Sequence, residues 1–113
     1  MIKIPAYAFY QYSPLTKINI PAHLTLIETN ALSFTPNVTS IVVDSASDYF
    51  ILENGLLFNK DKTQLRCAIK AVPENIVLPD GILELEDGTF YSVTTLKTIQ
   101  LPNTVTKIGD YVF

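Results

Sequence analysis

Residues 76–90 read IVLPDGILELEDGTF and residues 99–113 read IQLPNTVTKIGDYVF, two stretches that superpose with a shift of 23. Leu78 meets Leu101, Pro79 meets Pro102, Ile82 meets Val105, Leu85 meets Ile108 and Phe90 meets Phe113. The frame recurs upstream in LTKINIPAHLTLIETNAL (residues 15–32), which places Leu15, Ile18, Ile20, Pro21, Leu24, Ile27, Ala31 and Leu32 at the same offsets. A further step of 23 reaches Val38, Ile41 and Val43, while Ile4, Ala8 and Phe9 fit one unit earlier. A repeat of this length is the mark of a solenoid, whose coils bury their apolar faces only against neighbours.

Within each unit the spacing has a physical meaning. Ile18 and Ile20, Ile41 and Val43, Ile76 and Leu78, and Ile99 and Leu101 are pairs two residues apart, the period of a strand with one face inward. Stacked coils align these pairs as a parallel sheet. Pro21, Pro79 and Pro102 follow directly, where a missing N–H ends the ladder. The Leu24, Ile27 and Ala31 positions return along the opposite wall at three- to four-residue steps. That spacing suits a helical or 3₁₀ turn, with short strands as the alternative. A coil buries about six apolar side chains at roughly 1.5–3 kcal/mol each. Ordering its residues costs about 1–2 kcal/mol apiece, so one coil alone does not fold.

One unit is longer. Val43 and Leu78 are 35 apart, so 12 residues (35 − 23) are inserted within DSASDYFILENGLLFNKDKTQLRCAIKAVPEN (residues 44–75). Asn54-Gly55 between FIL and LLF is a hairpin signal, since both residues accept the positive φ of a type I′ turn. NKDK (59–62) supplies a second turn, and the segment reads as a small antiparallel meander projecting from the solenoid, with Tyr49, Phe50, Lys60 and Lys62 wholly or partly exposed. The divisions are a partial unit 1–14, a unit 15–37, the extended unit 38–72, a unit 73–95 and a partial unit 96–113, together one domain.

The unit L-x-x-I-x-L-P-x-x-V-x-x-I-x-x-x-A/V-F, with the longer element DYF…NGLLFNKD…L between Asp48 and Leu65, resembles the BspA-like leucine-rich repeats over essentially the whole chain. That family often carries Cys three residues after the Ala-Phe pair, where this chain has Tyr12, Thr35 and Val93. The resemblance implies a β-rich α/β leucine-rich-repeat solenoid, a right-handed superhelix with parallel strands. It also implies a cell-surface or secreted, adhesin-like role binding host, matrix or cell-surface proteins.

The bulk properties agree with a folded recognition module. Of 113 residues 48% are hydrophobic and 17% charged, which excludes disorder as the default. Net charge is −3 with eight Lys and Arg scattered singly, so neither nucleic acid nor an anionic membrane is the expected partner. The start MIKIPAYAFYQYS (1–13) is interrupted by Lys3, Pro5 and tyrosines and does not read as a signal peptide. No apolar run is long enough to span a bilayer. An intracellular scaffold or structural repeat protein in the cytoplasm is therefore the alternative reading. The chain also stops in mid-unit on Val112-Phe113, which reads as a segment of a longer array whose uncapped ends could self-associate.

Chemistry is sparse. His23, the single histidine, falls in a turn and would have to serve any Ser-His-Asp arrangement. Glu84, Glu86 and Asp87 form the one acidic cluster; with Leu85 inward between the glutamates, the expectation is a solvated turn rather than a metal or sugar-cleaving site. Cys67, the lone cysteine, makes no internal disulfide and reads as a buried strand thiol. No catalytic residue, metal ligand or cofactor motif is expected, and a carbohydrate-active β-solenoid enzyme is disfavoured. Asn37-Val38-Thr39 is a glycosylation sequon. The candidate binding face is the outward row of the strands: Lys17 and Asn19, Ser40 and Val42, Asn75 and Val77, Thr98 and Gln100.

Overall fold

The structure is a computed structural model that describes residues 2–91 and 93–113. Its strands are β1 (Ile2–Ile4), β2 (Lys17–Ile20), β3 (Leu24–Ile27), β4 (Ser40–Val43), β5 (Phe50–Glu53), β6 (Leu56–Asn59), β7 (Gln64–Ala68), β8 (Asn75–Val77), β9 (Glu84–Leu85), β10 (Thr98–Gln100) and β11 (Lys107–Ile108). They wind into a β-solenoid of about five turns. Among the described residues there is no helix, so the return wall takes short strands and turns, and the α component of the expected fold drops out.

On the first wall β2 pairs with β4 and β8 with β10, both parallel. Ile18 faces Ile41 and Ile76 faces Ile99, the 23-residue shift read from the sequence. Side chains alternate as the pleat requires, with Ile18 and Ile20 buried and Lys17 and Asn19 exposed. On the return wall β1 pairs with β3, and β9 lies between β7 and β11, again all parallel. Threonine hydroxyls bond back to carbonyls in the coil below: Thr39 to Thr16, Thr95 to Val72 and Thr106 to Leu83. The Thr16 and Leu83 carbonyls also accept backbone N–H groups of the next coil, so there the hydroxyls add to the inter-coil bonding at the corners.

The inserted residues form β5, β6 and β7 in antiparallel succession, and the hairpin turns at Asn54 (φ 51°) and Gly55 (φ 77°) as a type I′ turn requires. They do not project. The sheet order is β5-β6-β7-β9-β11, so the meander extends the return wall. Its middle strand is buried on both faces: Leu57 joins Ile18, Ile20, Leu24, Ile27 and Val38 in one core cluster, while Leu56 and Phe58 join Ile76, Leu78, Ile82 and Leu85 in another. Phe50 is likewise buried, whereas Tyr49 and Lys60 are exposed and Lys62, paired with Glu53 at 2.7 Å, is partly exposed. The reason is the run of three consecutive apolar residues, which a strand can bury only when both faces are covered.

Candidate recognition surfaces

The outward strand row exists, in two parts. Lys17 pairs with Ser40 and Asn19 with Val42 on one ladder, and Asn75 pairs with Thr98 and Val77 with Gln100 on the other. Ser40 is half-buried and the other seven are exposed, Val42 by 55% and Val77 by 71%. Among the described residues no ladder joins β4 to β8, so the expected single row is divided where the insertion enters. Each part presents one exposed valine amid polar side chains, Lys17 being the single charged one, and Thr98 Oγ1 donates to Asn75 Oδ1 at 2.5 Å.

The acidic cluster is not a solvated turn. Glu86 is buried and its Oε1 accepts from Arg66 Nη1 of β7 at 2.7 Å. Arg66 Nη2 donates to Gln64 Oε1 (2.9 Å), Gln64 Nε2 to Glu84 Oε1 (2.6 Å), and Lys107 pairs with Glu84 Oε2 (3.1 Å). Burial pushes the Glu86 carboxyl above its ordinary value, against the pull of the Arg66 charge. Burial also acts upward on Glu84, but the hydrogen bonds from Gln64 and Lys107 outweigh it and hold that carboxyl below its ordinary value. Both glutamates line a cavity of about 350 Å³ beside Arg66 and exposed Leu26. The network spans three strands and ties the insertion to the coils after it; among the described residues, Arg66 Nε and Glu86 Oε2 have no hydrogen-bond partner. Among the described residues no three His, Cys, Asp or Glu converge as metal ligands, and His23 is exposed in its turn.

A third feature is an aromatic edge. At one corner of the solenoid the repeat places Tyr7, Asn30, Gly88 and Tyr111 in equivalent positions, all left-handed with φ of 60°, 56°, 64° and 53°. Gln11 and Phe34 occupy a second such position, at 58° and 56°. For residues other than glycine this conformation costs roughly 1–2 kcal/mol each. Gly88 is fixed by its neighbour: a Cβ there would stand 2.7 Å from the Phe34 ring. Phe34 therefore lies over the Gly88 backbone and against Tyr10 (5.5 Å between centroids), Tyr91 (5.1 Å) and Tyr111 (6.3 Å), and Tyr7 continues the row at 5.1 Å from Tyr10.

The sequence profile of the BspA type leucine rich repeat region matches residues 1–60 and 70–113, in six copies. The chain belongs to that family. Among solved structures it is similar to a leucine-rich repeat protein from Eubacterium ventriosum (29% identity, TM-score 0.83, covering 97% of this chain and 30% of that one). It is also similar to the pneumococcal vaccine antigen PcpA (28%, TM-score 0.79, 88% and 25%). A leucine rich cell surface protein from Faecalibacterium prausnitzii matches at 27%, with TM-score 0.75, over 88% of this chain and 27% of that one. The chain thus spans less than a third of the length of each of these structures. Comparison with curated proteins returns no match.

As a BspA-type repeat, the chain uses its remaining singled-out residues as packing. Cys67 is buried in β7, 3.9 Å from Thr35 Oγ1, and burial pushes its thiol up to about 11, far from a reactive thiolate at neutral pH. The Thr35 hydroxyl and the Cys67 thiol thus meet across coils. In the sequon, Asn37 Nδ2 donates to the Ser13 carbonyl at 2.9 Å and Thr39 to Thr16, so both side chains tie one coil to the previous one. The aromatic edge escaped the reading of the sequence. A signal was available in Tyr7 and Tyr111, and in Tyr10 and Tyr91, each pair at repeat-equivalent positions.

Proposed function

We propose that this chain is a non-catalytic, protein-recognition segment of an adhesin-like bacterial surface protein, contacting host, matrix or cell-surface proteins through the outward faces of its solenoid. The observation that carries the reading is the pair of strand ladders, each with an exposed valine (Val42, Val77) set among polar side chains, of which Lys17 alone is charged, on a regular backbone. Apolar groups flanked by hydrogen-bonding ones suit a protein interface, where a few buried anchors within a polar rim carry most of the affinity. Membership of the repeat family supports a scaffold whose faces vary while its core is kept. The cell-surface protein among the similar structures supports the compartment.

The test is a double variant, Val42→Asp with Val77→Asp, compared with the unaltered chain for binding to immobilised matrix and cell-surface proteins. Because both positions are exposed, the fold should persist, as circular dichroism can check. Loss of binding by at least about tenfold is expected for anchors of this kind. Binding by the double variant equal to that of the unaltered chain would overturn the assignment of this face.

A further inference from the structure

We infer that the aromatic edge binds a lysine or arginine side chain presented by a partner protein. This rests on the recognition reading above and gives it a second surface, separate from the strand ladders.

The rings of Tyr10, Phe34, Tyr91 and Tyr111 surround a cavity of about 380 Å³, whose other walls are Gln11 and the carboxylates of Asp87 and Asp110. Among the described residues no Lys, Arg or His lines it. Asp87 is held from two sides: its Oδ1 accepts the backbone N–H of Asp110 at 2.7 Å and its Oδ2 accepts Asn30 Nδ2 at 3.0 Å. That carboxylate is fixed before any ligand arrives. Asp110 stands exposed on the rim, and Tyr111, 72% exposed, and Tyr91, 57% exposed, lean over the opening.

Three partner chemistries can be weighed against this arrangement. An anionic group would meet two carboxylates and no cation. A neutral sugar needs a flat ring face on which to stack, but the planes of Tyr10, Tyr91 and Tyr111 stand at 66°, 69° and 62° to that of Phe34. Such inclined rings make a cage rather than a platform. A cation gains from both elements, since ring faces attract it through their quadrupoles and the carboxylates attract it directly. The cage is assembled from four coils, with Tyr10, Phe34, Tyr91 and Tyr111 each from a different unit, so it depends on the stacked repeat.

The chain has no tryptophan and six tyrosines, of which Tyr7, Tyr10, Tyr91 and Tyr111 lie on this edge, so tyrosine emission reports directly on it. The whole chain is titrated with a capped hexapeptide of alternating Lys and Gly, with its Arg and Glu counterparts, and with a neutral chitin hexamer. The Lys and Arg peptides are expected to change the emission and bind. Affinity should fall about tenfold in Tyr91→Ala or Tyr111→Ala. It should fall severalfold in Asp110→Asn, and weaken with added salt. Tyr91→Phe keeps the ring and should bind as the unaltered chain does, which separates loss of the cage from loss of the fold. Equal binding of the Glu peptide, preference for the chitin hexamer, no binding of the cationic peptides at millimolar concentration, or unchanged affinity in both Ala variants would each overturn the inference. The recognition reading fails separately: it is the Val42 and Val77 variants that test it, and they leave this edge intact.

Discussion

Replacing Leu57 with Ala asks whether the inserted strands share the core or merely hang from it. Leu57 has no exposed surface and fills one core cluster, while Leu56 and Phe58 on either side of it fill the other. Truncation therefore loses both the transfer of the removed atoms and the packing around the void, together about 2–5 kcal/mol for a buried leucine. A chain of this length has a total stability of roughly 6–17 kcal/mol at 0.05–0.15 kcal/mol per residue, so the loss is a large fraction of the whole. With a urea dependence of about 1–3 kcal/mol per molar, a 3 kcal/mol loss lowers the midpoint by roughly 1–3 M. The assay is urea unfolding followed by far-ultraviolet circular dichroism, with Val77→Ala as the surface control, which should change stability by less than about 0.5 kcal/mol. If the meander projected into solvent, Leu57→Ala would behave like that control. A midpoint within about 0.3 M of the unaltered protein, or a separate early transition confined to the inserted strands, would refute the reasoning.

Three further predictions concern ionisable groups. Glu86→Ala leaves the Arg66 guanidinium buried without its partner and should cost about 3–5 kcal/mol. The raised Glu86 carboxyl means that pairing does not fully repay burial, so Arg66→Met with Glu86→Leu should come back to within about 1–2 kcal/mol of the unaltered protein; denaturation midpoints of the three proteins check this. Cys67 should resist a thiol-labelling reagent at pH 8 in the folded chain and react at once in urea. Because its folded thiol titrates near 11 rather than 9.0, stability should fall from pH 9 upward by roughly 2–3 kcal/mol, at 1.36 kcal/mol per unit, a loss absent in Cys67→Ala. Glu84 has the opposite sign: its lowered carboxyl adds stability above the ordinary glutamate range that disappears as pH falls through the folded value, so the gap between the unaltered protein and Glu84→Gln should be widest near neutral pH and close in acid.

What could be read in the sequence was whatever repeats. The pairs Ile18–Ile41 and Ile76–Ile99 stack as the 23-residue frame requires, and Asn54-Gly55 turns as its φ preference dictates, because both are local or periodic signals. The return wall was ambiguous because Leu24 and Ile27, three residues apart, are both buried in one strand. An i, i+3 pair points to one side of a helix and to opposite sides of a straight strand. Here β3 stacks on β1 with an irregular register, which lets both residues turn inward. Glu86 could not be placed, since its burial depends on Arg66, which the insertion delivers from 20 residues away. The meander lies in the wall rather than projecting for a different reason: Leu56, Leu57 and Phe58 do form a hairpin arm, but three apolar residues in succession are all buried only with cover on both faces. The cage around Phe34 was beyond reach as a whole, because Tyr91 meets it only after the extended unit has been folded between them.

The most direct test of the account is protease shaving of intact cells that express the natural gene product, with detection of this region before and after lysis. A surface recognition module predicts that the region is cleaved from unbroken cells. Its survival until the cells are lysed would contradict the surface role and point instead to an intracellular scaffold.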